Sequence, residues 1–445
     1  MCSRRARFRY YSKPPARANL TTAPDITIIR PVKGPETYLY ACLAATFQQA
    51  YPKDKVHVRL CISSRDDPSL PVLEQLLLEF PEYDAKILVE DEDPALRSGP
   101  SALGPNPKIR NMSHAYRQAR SLGDIVWIID CNVWVDKHTL ERKVNLSKDF
   151  KYVHLTPIIV DTDSTSHGAF GGRIDECFLS TYHAKFYAAI NTVLVAPAVV
   201  GKSTMFRISH LDSITDGQGL DYFSENICED QLTGTLLWKR KVPEELAGKK
   251  LAKHALCFGN LAIQPVSGMK LREYWDRRVR WLRVRKFTVM LATGVEPATE
   301  SFTCSLFGAY ALTTLPSSPI PHTWTAFLIF WLFSVGIWCA NDRRIYLLLQ
   351  SNASVHVDDN TPWFAQPPRN GFRRSFGQWL CMWLAREALA LPIWLTAICW
   401  GSEVEWRGRK FWVGRDMKVH EVEDSSGRDA PGDQNGHIGE KVKGS

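Results

Sequence analysis

The chain has 445 residues, 23% charged and 45% hydrophobic, a balance that excludes both a disordered chain and a polytopic transporter. Its formal charge of +8 suits nucleic acid, anionic lipid or a nucleotide diphosphate, and alone selects none of them. The 15 Trp crowd into the last third, as at a membrane–water interface, while the 11 scattered Cys, with no C-x-x-C pair, read as reduced thiols of a cytosolic domain.

Residues 1–24 form a basic, aromatic extension without the apolar run of a secretory signal peptide. The β-branched run 25–30 reads as a buried strand that stops at Pro31 and Gly34. A helix pattern over 37–50 precedes an alternating strand at 56–62, which closes on the polar turn Ser63 to Pro68. A helix over 69–80 and a strand over 85–90 follow, then a Gly/Pro-rich loop, 98–107, and a helix that opens near Lys108. Strand 125–129 (Ile-Val-Trp-Ile-Ile) ends on Asp130. Such alternation indicates βαβ units and a mostly parallel sheet, with ligands bound beyond the carboxyl ends of the strands. Both Asp67 and Asp130 fall at or just after such ends. The stretch 161–173, rich in Asp, Ser, Thr and Gly, is expected to be a loop or lid. The α/β catalytic domain is therefore assigned to 25–266.

A basic amphipathic segment, 267–300, leads into a membrane-associated region, 301–414, and a polar tail, 415–445, expected to be disordered. Apolar stretches occur at 303–315, 323–340 and 379–400. The basic clusters Arg272–Lys286 and Arg407–Lys410 both belong on the cytoplasmic side, so an even number of crossings separates them. The shortest stretch, 303–315, is assigned to the interface and the other two to a spanning pair, which places Ser317 on the cytosolic side and Asp358 on the far side. The charged centre Arg386–Glu387 supports an alternative in which 303–315 spans and the third stretch is interfacial.

Four sites carry chemistry, each with a plainer reading. Asp66-Asp67-Pro68 suits nucleotide binding or a solvated turn. Asp130-Cys131-Asn132 suits a divalent metal on a diphosphate, because Mg2+ and Mn2+ prefer hard oxygen ligands, or a capped turn. Glu229-Asp230 suits a base that deprotonates an acceptor hydroxyl, or a helix start. Arg277-Arg278-Val279-Arg280-Trp281 suits a departing diphosphate and a sugar or lipid head, or a basic interfacial helix. Gly201-Lys202-Ser203-Thr204 imitates the end of a phosphate-binding P-loop. It is rejected, because the required earlier Gly is Ala196 and a strand-like run follows.

The order of an Asp after the second strand, a strand-ending Asp, a Glu-Asp pair and Arg-x-x-Arg-Trp resembles the processive-type family 2 glycosyltransferases and their relatives. Within that group the chain is similar to the ceramide glucosyltransferases of family 21, from about Ile26 to Trp412. The shared pieces include Pro31–Gly34, Asn106-Pro107-Lys108-Ile109, Val153-His154, Cys228–Asp230, Arg386-Glu387 and Trp406–Arg409. The resemblance implies a GT-A-type domain followed by membrane helices, UDP-glucose as donor, ceramide as acceptor, Mg2+ or Mn2+, and an inverting displacement. It implies Asp130 at the metal–diphosphate, Asp230 as base, and Arg277, Arg280 and Trp281 closing the site. Asp66, Asp67, Lys33, Lys108, His154 and Glu229 are expected around the substrates. The implied setting is the Golgi or endoplasmic reticulum membrane with the catalytic domain toward the cytosol and no nucleic-acid partner. A polysaccharide synthase and an inert scaffold are the rivals. Too few apolar stretches for a polymer channel argue against the first, and the retained acidic set against the second.

Overall fold

In the computed structural model, residues 8–18, 22–97, 103–163, 170–315, 320–406 and 409–422 are described. The expected run at 25–30 becomes strand β1 (Ile26–Pro31), paired in parallel with β2 (Val56–Ile62) on one side and β4 (Ile125–Ile129) on the other. Strand β3 (Asp84–Val89) extends the sheet beyond β2, also in parallel. Beyond β4 come β6 (Ser203–Arg207), β5 (Phe150–Asp161) and β7 (Ala252–Val266), giving the order β3-β2-β1-β4-β6-β5-β7. Only β6 runs against its neighbours, so the sheet is mostly parallel, as its alternation with helices requires.

Helices cover both faces, which is why β1 and β4 are buried at every residue and carry apolar side chains toward both sides. Helix α1 (Leu39–Ala44) is shorter than the expected 37–50, and turns occupy the remainder; α2 (Leu70–Glu79) and α3 (Pro107–Ala119) lie where the pattern puts them. Trp127 of β4 is wholly buried, its indole N–H donating to Ser203 Oγ at 2.9 Å. Removing so large a core side chain costs about 3–5 kcal/mol. Arg30 of β1 is also fully buried; it donates to the carbonyls of Asp130 and Val133, both at 3.1 Å, and so props the loop after β4 from beneath.

The stretch 161–173 is not loop throughout. Helix α4 (Phe170–Phe178) begins inside it, while residues 164–169 lie outside the described residues. Its glycines permit close packing, since a Cβ on Gly171 would collide with the Lys270 carbonyl. Helices α5 (Glu229–Lys239) and α6 (Leu271–Arg285) follow, and then three apolar helices, α7 (Ser301–Thr314), α8 (Trp324–Gln350) and α9 (Phe376–Cys399). Two of these, α8 and α9, are long and apolar enough to cross a membrane.

The segment between α8 and α9 does not lie on the far side from the catalytic body. Asp358 accepts from Lys137 at 2.8 Å, His356 N donates to Asp136, and Phe364 and Ala365 join the main core. A loop so tied shares the side of the catalytic domain, which corrects the placement expected for Asp358. Ser317 lies outside the described residues. The expected polar tail also begins too early: Val419–Glu421 (β10) pairs with β9 (Arg409–Val413), which pairs with β8 (Glu403–Trp406). Residues 423–445 lie outside the described residues.

Candidate active site

Four charged groups meet beyond the carboxyl end of β4. Asn106 caps α3, its Oδ1 accepting from the backbone N–H of Lys108 at 2.8 Å and of Ile109 at 3.1 Å, with Pro107 in the first turn. That cap fixes Lys108, whose Nζ lies 3.1 Å from Asp130 Oδ1 and 3.1 Å from Glu229 Oε1. The other oxygen of Asp130, Oδ2, accepts from Lys202 Nζ at 2.9 Å, and Asn132 Oδ1 is 3.5 Å from the same nitrogen.

Lys202 belongs to the rejected Gly-Lys-Ser-Thr run. The antiparallel pairing of β6 with β4 sets Ser203 opposite Ile129, and Asp130 N donates to Lys202 O at 3.3 Å, so Lys202 sits directly across from Asp130. The segment binds no P-loop phosphate, yet it brings a cation that sequence reasoning missed. A strand-like run after a Gly-Lys pair was the available signal; its partner strand was not legible.

The electrostatics follow from these contacts. Burial raises the Asp130 carboxyl, but Lys108 and Lys202 more than offset it and hold the group well below the usual range. Burial works against the Lys108 ammonium, and Asp130 and Glu229 override it, keeping Lys108 charged. Asp230 behaves oppositely. Burial and then the Glu229 charge push it up to about 6. No cation pairs with Asp230 among the described residues, and the backbone of Gly201 approaches closely, so that a Cβ there would lie 2.7 Å from Asp230 Oδ2.

Helix α6 brings the arginines. Arg277 contacts Asp175 at 3.2 Å and Gln264 Oε1 at 3.3 Å, and its guanidinium stands 4.9 Å from the Trp281 ring centroid. Trp134 and Ile263 exchange backbone hydrogen bonds at 2.8 and 3.0 Å, which joins the loop after Asp130 to the strand that holds Gln264. The fully buried Asp175 is raised by burial and opposed by Arg277, Arg278 and Lys202, so the charges of α6 and of the Asp130 cluster share one field. Arg278 is committed to Glu296 at 3.2 Å and to the Phe178 ring face at 3.7 Å. Arg280 has no hydrogen bond or ion pair among the described residues; burial and the neighbouring Arg277 lower it to about 10, still charged at neutral pH.

The remaining expected residues are spread out. Asp67 accepts from Gly34 N at 3.0 Å and from Ser69 N at 2.9 Å, tying together the loops after β1 and β2. Asp66 and Lys33 are exposed on those loops. His154 is fully buried in β5 and its Nδ1 meets Tyr187 Oη at 2.5 Å; burial first, then His254, hold it neutral. It lies beneath the site, connected through Tyr187, a ring that feels the Asp230 charge.

The sheet β8–β10 supports the acidic loop from outside. Val419 N donates to Glu225 O at 2.8 Å, Asn226 Nδ2 to Met417 O at 2.9 Å, and Ile227 packs with Val404, Phe411, Val413 and Val419. Arg283 of α6 donates to Glu403 O at 2.6 Å, so the same sheet also braces the arginine helix.

No group of three or more His, Cys, Asp or Glu side chains gathers as a metal site among the described residues. The donors that do face the cluster, one carboxylate of Asp130 and the amide oxygen of Asn132, fit an ion held mainly by substrate phosphates, as Mg2+ often is.

With this geometry, kinship decides the class. The sequence profile of Glycosyl transferase family 21 matches residues 2–419. The chain belongs to glycosyltransferase family 21. The ceramide glucosyltransferase of Pyricularia oryzae is 47% identical, the match covering 93% of this chain and 90% of that one. That of Gibberella zeae is 44% identical over 94% and 89%. Among solved structures, a mannosyltransferase from Pyrobaculum calidifontis in complex with GDP-Man and Mn2+ is 16% identical, covers 76% of this chain and 93% of its own, and has a TM-score of 0.42. The family 21 chain is thus an enzyme of glycosyl transfer, of the ceramide glucosyltransferase type.

Proposed function

We propose that this family 21 enzyme transfers glucose from UDP-glucose to the primary hydroxyl of ceramide, with inversion, at the cytosolic face of a Golgi or endoplasmic reticulum membrane. The observation that carries the chemistry is the charge arrangement around Lys108: Asp130 lies between Lys108 at 3.1 Å and Lys202 at 2.9 Å, which keep it ionised, while Asp230, beside Glu229 and with no paired cation among the described residues, is pushed upward. Carboxyls driven apart in this way suit different tasks.

Asp230 is the base. It takes the proton of the acceptor hydroxyl as that oxygen bonds to the anomeric carbon, while the bond from that carbon to the diphosphate oxygen breaks on the opposite face. A base near neutral pKa is ionised at working pH and still accepts a proton well. Lys108, Lys202 and Arg280, which is unpaired among the described residues, take up the charge that collects on the leaving UDP. Asp130 with Asn132 would hold Mg2+ or Mn2+, which supplies further neutralisation of the diphosphate. Asp67 holds the Gly34 loop at the nucleotide end, with Asp66 and Lys33 beside it, and Trp281, stacked on Arg277, faces sugar or lipid head.

Membranes bearing the chain, given labelled UDP-glucose and ceramide, are expected to form labelled glucosylceramide. A labelled polymer made without added lipid would overturn the assignment of the acceptor.

A further inference from the structure

The three apolar helices differ in what they touch. Helix α7 begins beside α9, where Ser301 N donates to Glu387 Oε2 at 3.0 Å and Arg386, paired with Glu387, reaches Asp342 of α8 at 3.3 Å. Farther along α7, Ser305 Oγ is 2.9 Å from Ser334 Oγ, and Gly308 faces Phe330. Positions rise along α7 as they fall along α8, so the two form an antiparallel hairpin whose connection lies farthest from Asp342.

The base of the hairpin is polar and fixed. Asp342 is fully buried and accepts from Lys185 at 2.8 Å and from the Trp383 indole at 2.9 Å, and Gln350 donates to Ile159 O and Ser180 Oγ, both at 2.7 Å. Its shaft is bare. None of the most apolar 18-residue window of α8 is buried, with Phe333 67% and Trp324 81% exposed, and Leu306, Phe307 and Tyr310 of α7 are exposed beside it. From Trp324 to Asn341 the helix rises roughly 27 Å, close to a hydrocarbon core of about 30 Å, while the 14 residues of α7 rise roughly 21 Å and reach across with the connection and a locally thinned bilayer.

Helix α9 is held along its whole length. Just before it, Arg374 pairs with Asp161 at 3.1 Å and Glu176 at 3.2 Å; midway, Arg386 donates to Thr181 Oγ1 at 2.8 Å; at its end, Lys286 donates to Ile398 O at 2.7 Å and Arg283 to the Trp400 carbonyl. A spanning helix of this length would set its ends about 36 Å apart along the membrane normal. Both ends of α9 instead touch the same catalytic body.

We infer that the α7–α8 hairpin is the bilayer-crossing unit, its shaft covered by lipid acyl chains, and that α9 lies along the membrane surface without crossing. This rests on the membrane setting proposed above, but it is tested without turnover. Four cysteines are placed singly at exposed positions in the full-length chain: Lys250→Cys in the catalytic domain, His322→Cys at the hairpin connection, Asn360→Cys before α9 and Glu405→Cys after it. Sealed microsomes are treated with an impermeant maleimide before and after permeabilisation, and the label gained over the parent chain is scored. The expected result is one shared sidedness for positions 250, 360 and 405, with position 322 opposite. If 322 shared the side of 250, or if 360 or 405 lay opposite to it, the inference would fall. Missing glucosylceramide formation, by contrast, would count against the reaction alone.

Discussion

Lys202 Nζ stands 2.9 Å from Asp130 Oδ2 while Lys108 Nζ stands 3.1 Å from Oδ1, so the strand-ending carboxylate lies between two ammonium groups. Neither lysine is wasted on charge balance alone, because Lys108 is shared with Glu229. Lys202 has Asp130 as its one carboxylate partner among the described residues, so of the two lysines it is the freer to follow a diphosphate. Replacing it in Lys202→Met removes one charge-assisted hydrogen bond, worth about 1.5–3 kcal/mol, or roughly a 10- to 150-fold weaker hold on donor. The expected signature is a raised KM for UDP-glucose and a weaker inhibition by UDP. An unchanged KM would make Lys202 a structural partner of Asp130 only.

Asp230→Asn keeps the shape of the proposed base and removes its basicity. Turnover should fall by about 10²–10⁴-fold, with UDP affinity retained. Near-native turnover in this variant would exclude Asp230 from proton transfer.

The pH profile gives a second view of the same carboxyl. Because Asp230 is raised to about 6 and acts ionised, kcat should climb with pH through that region. Glu229 is one cause of the elevation, so Glu229→Gln removes a neighbouring negative charge and should slide the acid limb to lower pH. A limb that stayed in place, or moved upward, would contradict this origin of the shift.

Gly201→Ala tests the close approach from the other side. The added Cβ would meet Asp230 Oδ2 at 2.7 Å and displace it. Misplacing a catalytic group by about 1 Å costs on the order of 100-fold, so kcat should drop while UDP binding holds. Full activity in Gly201→Ala would mean that the Asp230 position is not critical.

The parallel half of the sheet was legible because each strand there ends on a turn or an acidic residue, and Ile125–Ile129 with Asp130 is the clearest case. Lys108 came through the family resemblance, and the structure adds what holds it in place: the Asn106 cap with Pro107 in the first turn. Lys202 was not legible, because its place depends on an antiparallel register with β4 that no local pattern encodes. The glycines at 171 and 172 suggested a loop, whereas their small size serves helix packing against Met269–Lys270. Hydropathy alone ranked α7 below α9 as a membrane element. Ion pairs and carbonyl contacts distant in sequence, such as Arg374 with Glu176 and Lys286 with Ile398, reverse that order.

The small sheet β8–β10 joins Val419 to Glu225, only five residues before the proposed base. The acidic loop is therefore braced by strands that emerge from the ribosome almost two hundred residues after it. A nascent chain whose seven-stranded sheet is already paired still lacks that brace. The acidic loop thus gains this brace only once Val419 is in place, and a chain cut short of Val419 would leave that loop unsupported.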